Sequence, residues 1–95
     1  MNIEKFPGAE LILEGLKDVA ADRITPSACA IAIALPRLSK VGLVDRALLA
    51  KQIPEPERTL YRLLDEQGEG AYARYNAFLR RLIRFEHALD RATAY

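Results

Sequence analysis

The chain has 95 residues, enough for one small domain, and we expect that domain to span residues 1–95. Fourteen Lys and Arg residues against 13 Asp and Glu residues give a formal net charge of +1, which excludes a uniformly basic nucleic-acid binder and a solvating acidic tail. Hydrophobic residues at 51% and charged residues at 28% are typical of a globular domain rather than a disordered chain.

The sequence offers few groups for metal or cofactor chemistry. Cys29 is the single cysteine and His87 the single histidine, so we expect neither a disulfide nor a metal site. No Gly-rich phosphate loop is present, and we expect no cofactor and no small-molecule ligand. The longest apolar run, residues 28–35, falls short of the about 20 residues of a membrane span, and the first residues do not form a signal peptide. We therefore expect a cytoplasmic protein that does not contact a membrane.

The first predicted helix covers about residues 8–22 and is amphipathic. Its apolar stripe consists of Ile12, Leu13, Leu16, Val19 and Ala20. Acidic residues spaced four apart occupy the opposite side of the helix, namely Glu10, Glu14, Asp18 and Asp22. The spacing predicts a helix whose acidic side faces solvent.

The second predicted helix has a strong start signal, with Thr25 as N-cap and Pro26 in the first helical position. Residues 28–35 are apolar all round, which is typical of a buried central helix. Alternating isoleucine and alanine would also suit a strand, but the four alanines favour a helix. Pro36 predicts a break, followed by a short helical turn that ends at Gly42.

Two short helices and a long one complete the predicted chain. The first covers residues 44–53, and the second begins with Pro56, continues over residues 59–67 and ends at Gly68. The last and longest covers about residues 71–92. Its broad apolar face consists of Tyr75, Phe78, Leu79, Leu82, Ile83, Phe85 and Leu89. The fold class predicted from these elements is an all-α small bundle of four to five helices with a long amphipathic C-terminal helix.

Charge is distributed unevenly along the chain. Residues 71–95 hold five bases and two acids, a net charge of +3, whereas residues 1–23 hold three bases and five acids, a net charge of −2. All five bases of the last helix are arginine, which suits protein interfaces and phosphate contacts. A solvated helix face is the alternative interpretation. The candidate partner-binding residues are Arg74, Arg80, Arg81, Arg84, His87 and Arg91, with Tyr72 and Tyr95 as further candidate contacts.

Glu86 is a candidate buried polar residue. It lies among the apolar residues of the last helix, and a buried carboxylate needs a partner. We expect that partner to be an arginine or a tyrosine hydroxyl of another helix or subunit. A position at the edge of the apolar stripe is the alternative.

One segment, residues 46–67, suggests DNA binding. Its stretches RALLAKQI (residues 46–53) and RTLYRLL (residues 58–64) resemble the helix-turn-helix of Fis-type regulators. The resemblance implies side chains that contact phosphates or bases in the major groove. Acidic residues outnumber arginines on the second of these helices, so DNA binding ranks second among the functions. The candidate nucleic-acid contacts are Arg58, Thr59, Tyr61 and Arg62.

A second resemblance concerns the last helix. Residues 80–87, RRLIRFEH, place arginine and histidine at a spacing that resembles the helical ribonucleases of the HEPN class. The resemblance implies that Arg80 or Arg81 holds a phosphate and that His87 takes part in proton transfer at the ribose 2′-OH.

The primary functional prediction follows by elimination. The sequence shows no nucleophile–base pair, no metal-ligand cluster and no phosphate loop, so it predicts no catalytic residues and no enzyme. We expect a small protein–protein interaction module that docks on a partner protein, or self-associates as a homo-oligomer, through its C-terminal helix. Nucleic-acid binding is the alternative prediction, and a small ribonuclease ranks third.

Overall fold

The structure is a computed structural model that describes residues 3–44 and 53–93. The described residues form four α-helices and contain no strand, which confirms the all-α class. The helix predicted over residues 44–53 lies, apart from its two end residues, outside the described part of the chain. The four helices are α1 (Ala9–Ala20), α2 (Pro26–Lys40), α3 (Pro56–Glu66) and α4 (Ala71–Ala92).

Helix α2 is the centre of the fold and contacts each of the other three helices. Its apolar residues are buried on several sides, as expected for a central helix. All four helices contribute fully buried side chains to one core, so the helices are held together mainly by apolar burial. The largest of these side chains are Ile12, Leu38, Leu60, Leu82, Phe85 and Leu89.

Both ends of α2 follow local sequence signals. The hydroxyl of Thr25 accepts a hydrogen bond from the backbone N–H of Ala28 at 3.1 Å, and Pro26 occupies the first turn, which confirms the predicted start. The helix ends beside Gly42, whose φ of +79° is the left-handed conformation that favours glycine at this position.

The break predicted at Pro36 is wrong, because α2 continues through this residue for a further turn. Proline removes one backbone hydrogen bond from a helix interior and normally bends or ends the helix. Here the side chains of Leu35 and Leu38, on either side of Pro36, are buried in the core. This packing holds the helix in place and outweighs the lost hydrogen bond.

Helices α1 and α2 approach each other most closely at Gly15. A Cβ atom placed on Gly15 would lie 2.3 Å from the carbonyl oxygen of Ser27 and 2.7 Å from Cγ1 of Ile31. No side chain fits at such distances, so the backbone of α1 rests directly on α2.

The contact at Gly15 also sets which side of α1 is buried. The buried face runs through Leu11, Ile12 and Gly15, whereas Leu13 is 38% exposed and Ala20 is exposed. The predicted apolar stripe is therefore wrong at Leu13 and Ala20. Apolar periodicity could not reveal that a glycine lies at the centre of the packed face.

Helix α4 has the predicted bounds, and α3 begins at Pro56 as predicted. The buried face of α4 is narrower than expected. Phe78, Leu82 and Phe85 are buried, but Ile83 is 46% exposed, so its assignment to the buried face is wrong. Only one side of α4 is covered by the other helices, which leaves its outer side open to solvent.

Candidate functional site

The arginines of the molecule fall into two groups. Five of the nine described arginines form ion pairs with carboxylates, namely Arg23, Arg37, Arg58, Arg62 and Arg81. The other four form no ion pair with a described residue, and all four are exposed residues of α4. They are Arg74, Arg80, Arg84 and Arg91. Among the described arginines, only those of α4 include members without an ion-pair partner.

Three of these arginines share one line on the helix surface with His87. Arg80, Arg84, His87 and Arg91 follow one another at spacings of four, three and four residues, and all are exposed. Side chains at these spacings lie on the same side of an α-helix, so the line is about 16 Å long. We call these four residues the cationic row.

Apolar side chains flank the cationic row. Tyr72 is 72% exposed and Ile83 is 46% exposed, and the partly buried Leu79 lies between them along the helix. The spacings of seven and four residues place these three side chains on one line. We call them the apolar edge. Tyr95, the other tyrosine predicted as a partner contact, lies outside the described residues.

Arg81 is directed away from the cationic row. Its Nη2 lies 2.7 Å from Oε1 of Glu10, so the side chain joins α4 to the first turn of α1. A hydrogen bond from the backbone and the Arg81 guanidinium both lower the pKa of Glu10 below its ordinary value. One of the six predicted partner-binding residues is thus engaged within the chain.

Glu86 lies where α4 meets α2. Its side chain is 16% exposed, and its Oε2 lies 3.0 Å from Nε of Arg37. Arg37 also pairs with Asp90 one turn further along α4. Burial raises the pKa of Glu86, while the Arg37 guanidinium opposes that rise. The structure therefore places an arginine of another helix beside this carboxylate, although no feature of the sequence singled out Arg37.

Asp18 is the one buried charged residue of the described chain, with 6% of its surface exposed. Its carboxylate accepts hydrogen bonds from the Thr25 hydroxyl at 2.6 Å and from Nη2 of Arg23 at 2.9 Å. The prediction that Asp18 faces solvent with the acidic stripe of α1 is wrong, because the turn into α2 folds over it. The N-cap signal at Thr25 was the only sequence feature near this network.

Among the depressions of the surface, two shallow ones are lined by described residues. One, of about 410 Å³, is lined by Glu10, Leu13, Glu14, Lys17, Asp18 and Arg23 of α1 and the turn that follows it. The other, of about 320 Å³, is lined by His87, Asp90 and Arg91 at the end of α4. Both mix acidic and basic side chains, which does not single out a charge class for a small ligand.

Reactive and metal-binding groups are sparse in the described chain. No group of three His, Cys, Asp or Glu side chains is placed to hold a metal ion within residues 3–44 and 53–93. Cys29 is fully buried, and burial raises the pKa of its thiol to about 11. The thiol stays protonated at neutral pH and is a poor nucleophile. None of the four helices is long and apolar enough to cross a membrane.

The candidate nucleic-acid contacts on α3 are occupied within the chain. Both arginines pair with acids three or four residues away, the threonine hydroxyl donates to a backbone carbonyl, and the tyrosine ring packs edge-on against another tyrosine. Residues 46–52, the first part of the segment that resembles a helix-turn-helix, lie outside the described residues. The partners are Glu55 for Arg58, Pro54 for Thr59, Tyr75 for Tyr61 and Glu66 for Arg62.

The structure places Arg80 and His87 of the ribonuclease resemblance two turns apart on one side of α4, and Arg81 on another side. Arg80 and His87 are seven residues apart on a continuous helix, which separates them by about 10 Å along its axis. Arg81 is bonded to Glu10 on another side of α4. A phosphate held by Arg81 would therefore not lie beside His87 of the same chain.

The chain matches no protein-family model, no curated protein and no solved structure. Its function must therefore be argued from the chemistry of its own surface. The outer side of α4, with the cationic row and the apolar edge, is the part of the described surface where exposed arginines lack an ion-pair partner.

Proposed function

We propose that the protein is a non-enzymatic interaction module that docks a partner protein through the outer side of α4. The observation that carries the proposal is the distribution of ion pairs. Every described arginine outside α4 is paired with a carboxylate, whereas four of the five arginines on α4 are not. An anionic partner would supply the missing carboxylates.

The charges of α4 repel one another in the free protein. Arg80 and Arg84 are four residues apart on the helix surface, and like charges at this spacing destabilise a helix by about 0.2–0.5 kcal/mol. On helix α3 the repulsion between Arg58 and Arg62 is offset, because these arginines pair with Glu55 and Glu66 three and four residues away. A bound acidic surface would convert the repulsion on α4 into attraction.

The residue types of this surface also suit a protein partner. Arginine and tyrosine are enriched among the residues that contribute most to protein–protein binding, and arginine binds carboxylates through two hydrogen bonds at once. Ile83 and Tyr72 add exposed apolar area beside the arginines. Apolar contacts ringed by charge are the usual composition of such an interface.

A comparison of two double charge reversals tests the proposal. Tagged wild-type protein, Arg80→Glu/Arg84→Glu and Arg58→Glu/Arg62→Glu are used to capture proteins from nuclease-treated extract of the source cells. The two variants reverse the same charges at the same spacing on two exposed helix faces. We expect a protein that is captured by the wild type and by the α3 variant but is lost from the α4 variant.

Circular dichroism establishes that all three proteins are folded before capture. A captured set that is unchanged by Arg80→Glu/Arg84→Glu would contradict docking through α4. A protein that is captured from untreated extract but not from nuclease-treated extract would instead favour nucleic-acid binding.

A further inference from the structure

The spacing within the cationic row is that of a helix–helix contact. Residues that follow one another at intervals of four, three and four form the seam along which one helix packs against another at a shallow angle. The row is straight and about 16 Å long, which corresponds to three turns of a helix. A second helix laid along α4 could meet all four side chains at once.

We infer, resting on the proposed function, that the surface binds an acidic amphipathic helix of a partner protein. Such a helix would place Asp or Glu side chains at matching spacing against Arg80, Arg84 and Arg91. An apolar residue beside them would cover Ile83, which is 46% exposed in the free protein. Charge complementarity favours an acidic helix, and the apolar edge determines on which side of the cationic row the apolar residues of that helix lie.

A second copy of the chain is a poor occupant of this surface. Two α4 helices related by a two-fold axis would place arginines of one row against those of the other, and these like charges repel. The acidic stripe predicted on α1 does not complement the row either, because Asp18 is buried and Glu10 is bonded to Arg81.

Nucleic acid fits the composition of this surface less well. Phosphate groups could pair with the four arginines of α4 that form no ion pair with a described residue, but they give no contact for the apolar edge. An acidic amphipathic helix would contact both the arginines of the row and the apolar edge.

Synthetic peptides of about 18 residues, enough to cover the row, test the inference. One peptide carries glutamates at spacings of four, three and four with leucines beside them. A second has the same composition in an order that spreads the glutamates around the helix. Fluorescence anisotropy measures their binding to the full chain, together with a labelled single-stranded RNA. We expect the first peptide to bind roughly tenfold or more tightly than the second, and to lose most of that affinity with Arg84→Glu but not with Arg62→Glu.

Each other result overturns the inference. Equal binding of the two peptides would show that charge alone attracts them, without helical register. RNA binding tighter than either peptide would point to a nucleic-acid occupant, and absence of binding by both peptides at low salt would exclude an acidic helix. In any of these cases capture that depends on Arg80 and Arg84 would still support docking through α4, so failure of this inference is distinguishable from failure of the proposed function.

Discussion

The junction of α1 with α2 and the outer side of α4 differ in whether their charged side chains have partners within the described chain. At the junction Asp18 is buried, and its carboxylate accepts hydrogen bonds from Thr25 and Arg23. On the outer side of α4, Arg80 and Arg84 are exposed, are close in space and have no described ion-pair partner. The hydrogen bonds of the first region are all made within the chain, whereas the second has charged groups that no described residue pairs.

This difference in pairing distinguishes residues that stabilise the fold from residues that are available to bind a partner. A buried carboxylate must be fully hydrogen-bonded, because leaving it unsatisfied would destabilise the protein strongly. Exposed arginines are solvated by water, so the fold tolerates them without a partner. Substitutions at the junction should therefore lower stability, and substitutions on α4 should change binding with little loss of stability.

The largest expected effect is that of Gly15→Ala. The added methyl group would meet the Ser27 carbonyl oxygen at 2.3 Å, so α1 and α2 must move apart. We expect a loss of about 3 kcal/mol in the free energy of unfolding, measured by urea denaturation.

Gly70→Ala is the matched control for this effect. Gly70 has a φ of +80°, and no atom lies within 4 Å of the position that a Cβ would take. The left-handed conformation alone should cost about 1 kcal/mol there. A loss at Gly15 no larger than the loss at Gly70 would mean that the close approach of α1 and α2 is absent.

The second prediction compares two acids that the sequence placed on one stripe of α1. Asp18→Asn weakens the bonds to Thr25 and Arg23 inside the fold, and we expect a loss of about 2 kcal/mol in the free energy of unfolding. Glu14→Gln changes an exposed side chain of the same helix and should stay within about 0.5 kcal/mol of the wild type. Equal effects of the two variants would show that Asp18 faces solvent after all.

The helix boundaries could be predicted from the sequence, whereas the burial of Asp18 could not. Signals that act within a few residues were sufficient: Thr25 and Pro26 start α2, Pro56 starts α3, and the long apolar periodicity gives the bounds of α4. Each depends on the local backbone and on which hydrogen bonds it leaves unsatisfied.

Contacts between distant parts of the chain were not predictable in the same way. Gly15 is buried because α2 lies against it, and Pro36 stays in a helix because its neighbours pack in the core. The arginines of α4 could be identified from the sequence, but the pairing of Arg81 with Glu10 and the exposure of Ile83 could not. Which charges stay unpaired depends on the tertiary arrangement, so periodicity alone cannot identify them.

The third prediction concerns Glu86, which lies at the boundary between the buried and outer sides of α4. Its pKa in the folded protein is raised above the ordinary value of 4.5, mainly by burial. The folded state therefore holds the proton more tightly than the unfolded state does. The stabilisation from this group is complete below pH 4.5 and is lost as the pH rises through the folded pKa.

Comparison with Glu86→Gln isolates this contribution, because glutamine does not titrate. The free energy of unfolding of the wild type, minus that of the variant, should fall as the pH is raised from about 4.5. Urea denaturation at a series of pH values gives this difference. A difference that grows with pH would show that the ion pair with Arg37, rather than burial, controls the titration.

The smallest expected effect directly tests the contrast between the unpaired arginines of α4 and the paired arginines of α3. Arg84→Glu removes the repulsion with Arg80 and replaces it with an attraction four residues away, so the free protein should become more stable by about 0.3 kcal/mol. Arg62→Glu makes the same chemical change on α3 and likewise gains an attraction to Arg58, but it also replaces the ion pair with Glu66 by repulsion and adds repulsion with Asp65, so these effects offset each other and stability should not rise. Replicate thermal denaturation at low salt measures both shifts.

The difference between the two variants matters more than the sizes of the shifts. If α4 were an ordinary solvated face, its charges would be free to take the arrangement that stabilises the helix, as those of α3 do. A variant that is more stable but no longer binds its partner would show that the cationic row is maintained at the expense of stability, which is typical of functional surfaces. If Arg84→Glu instead destabilises the free protein, Arg84 has a structural role within the chain, and the arginines of α4 no longer form a class apart from the paired arginines of the other helices.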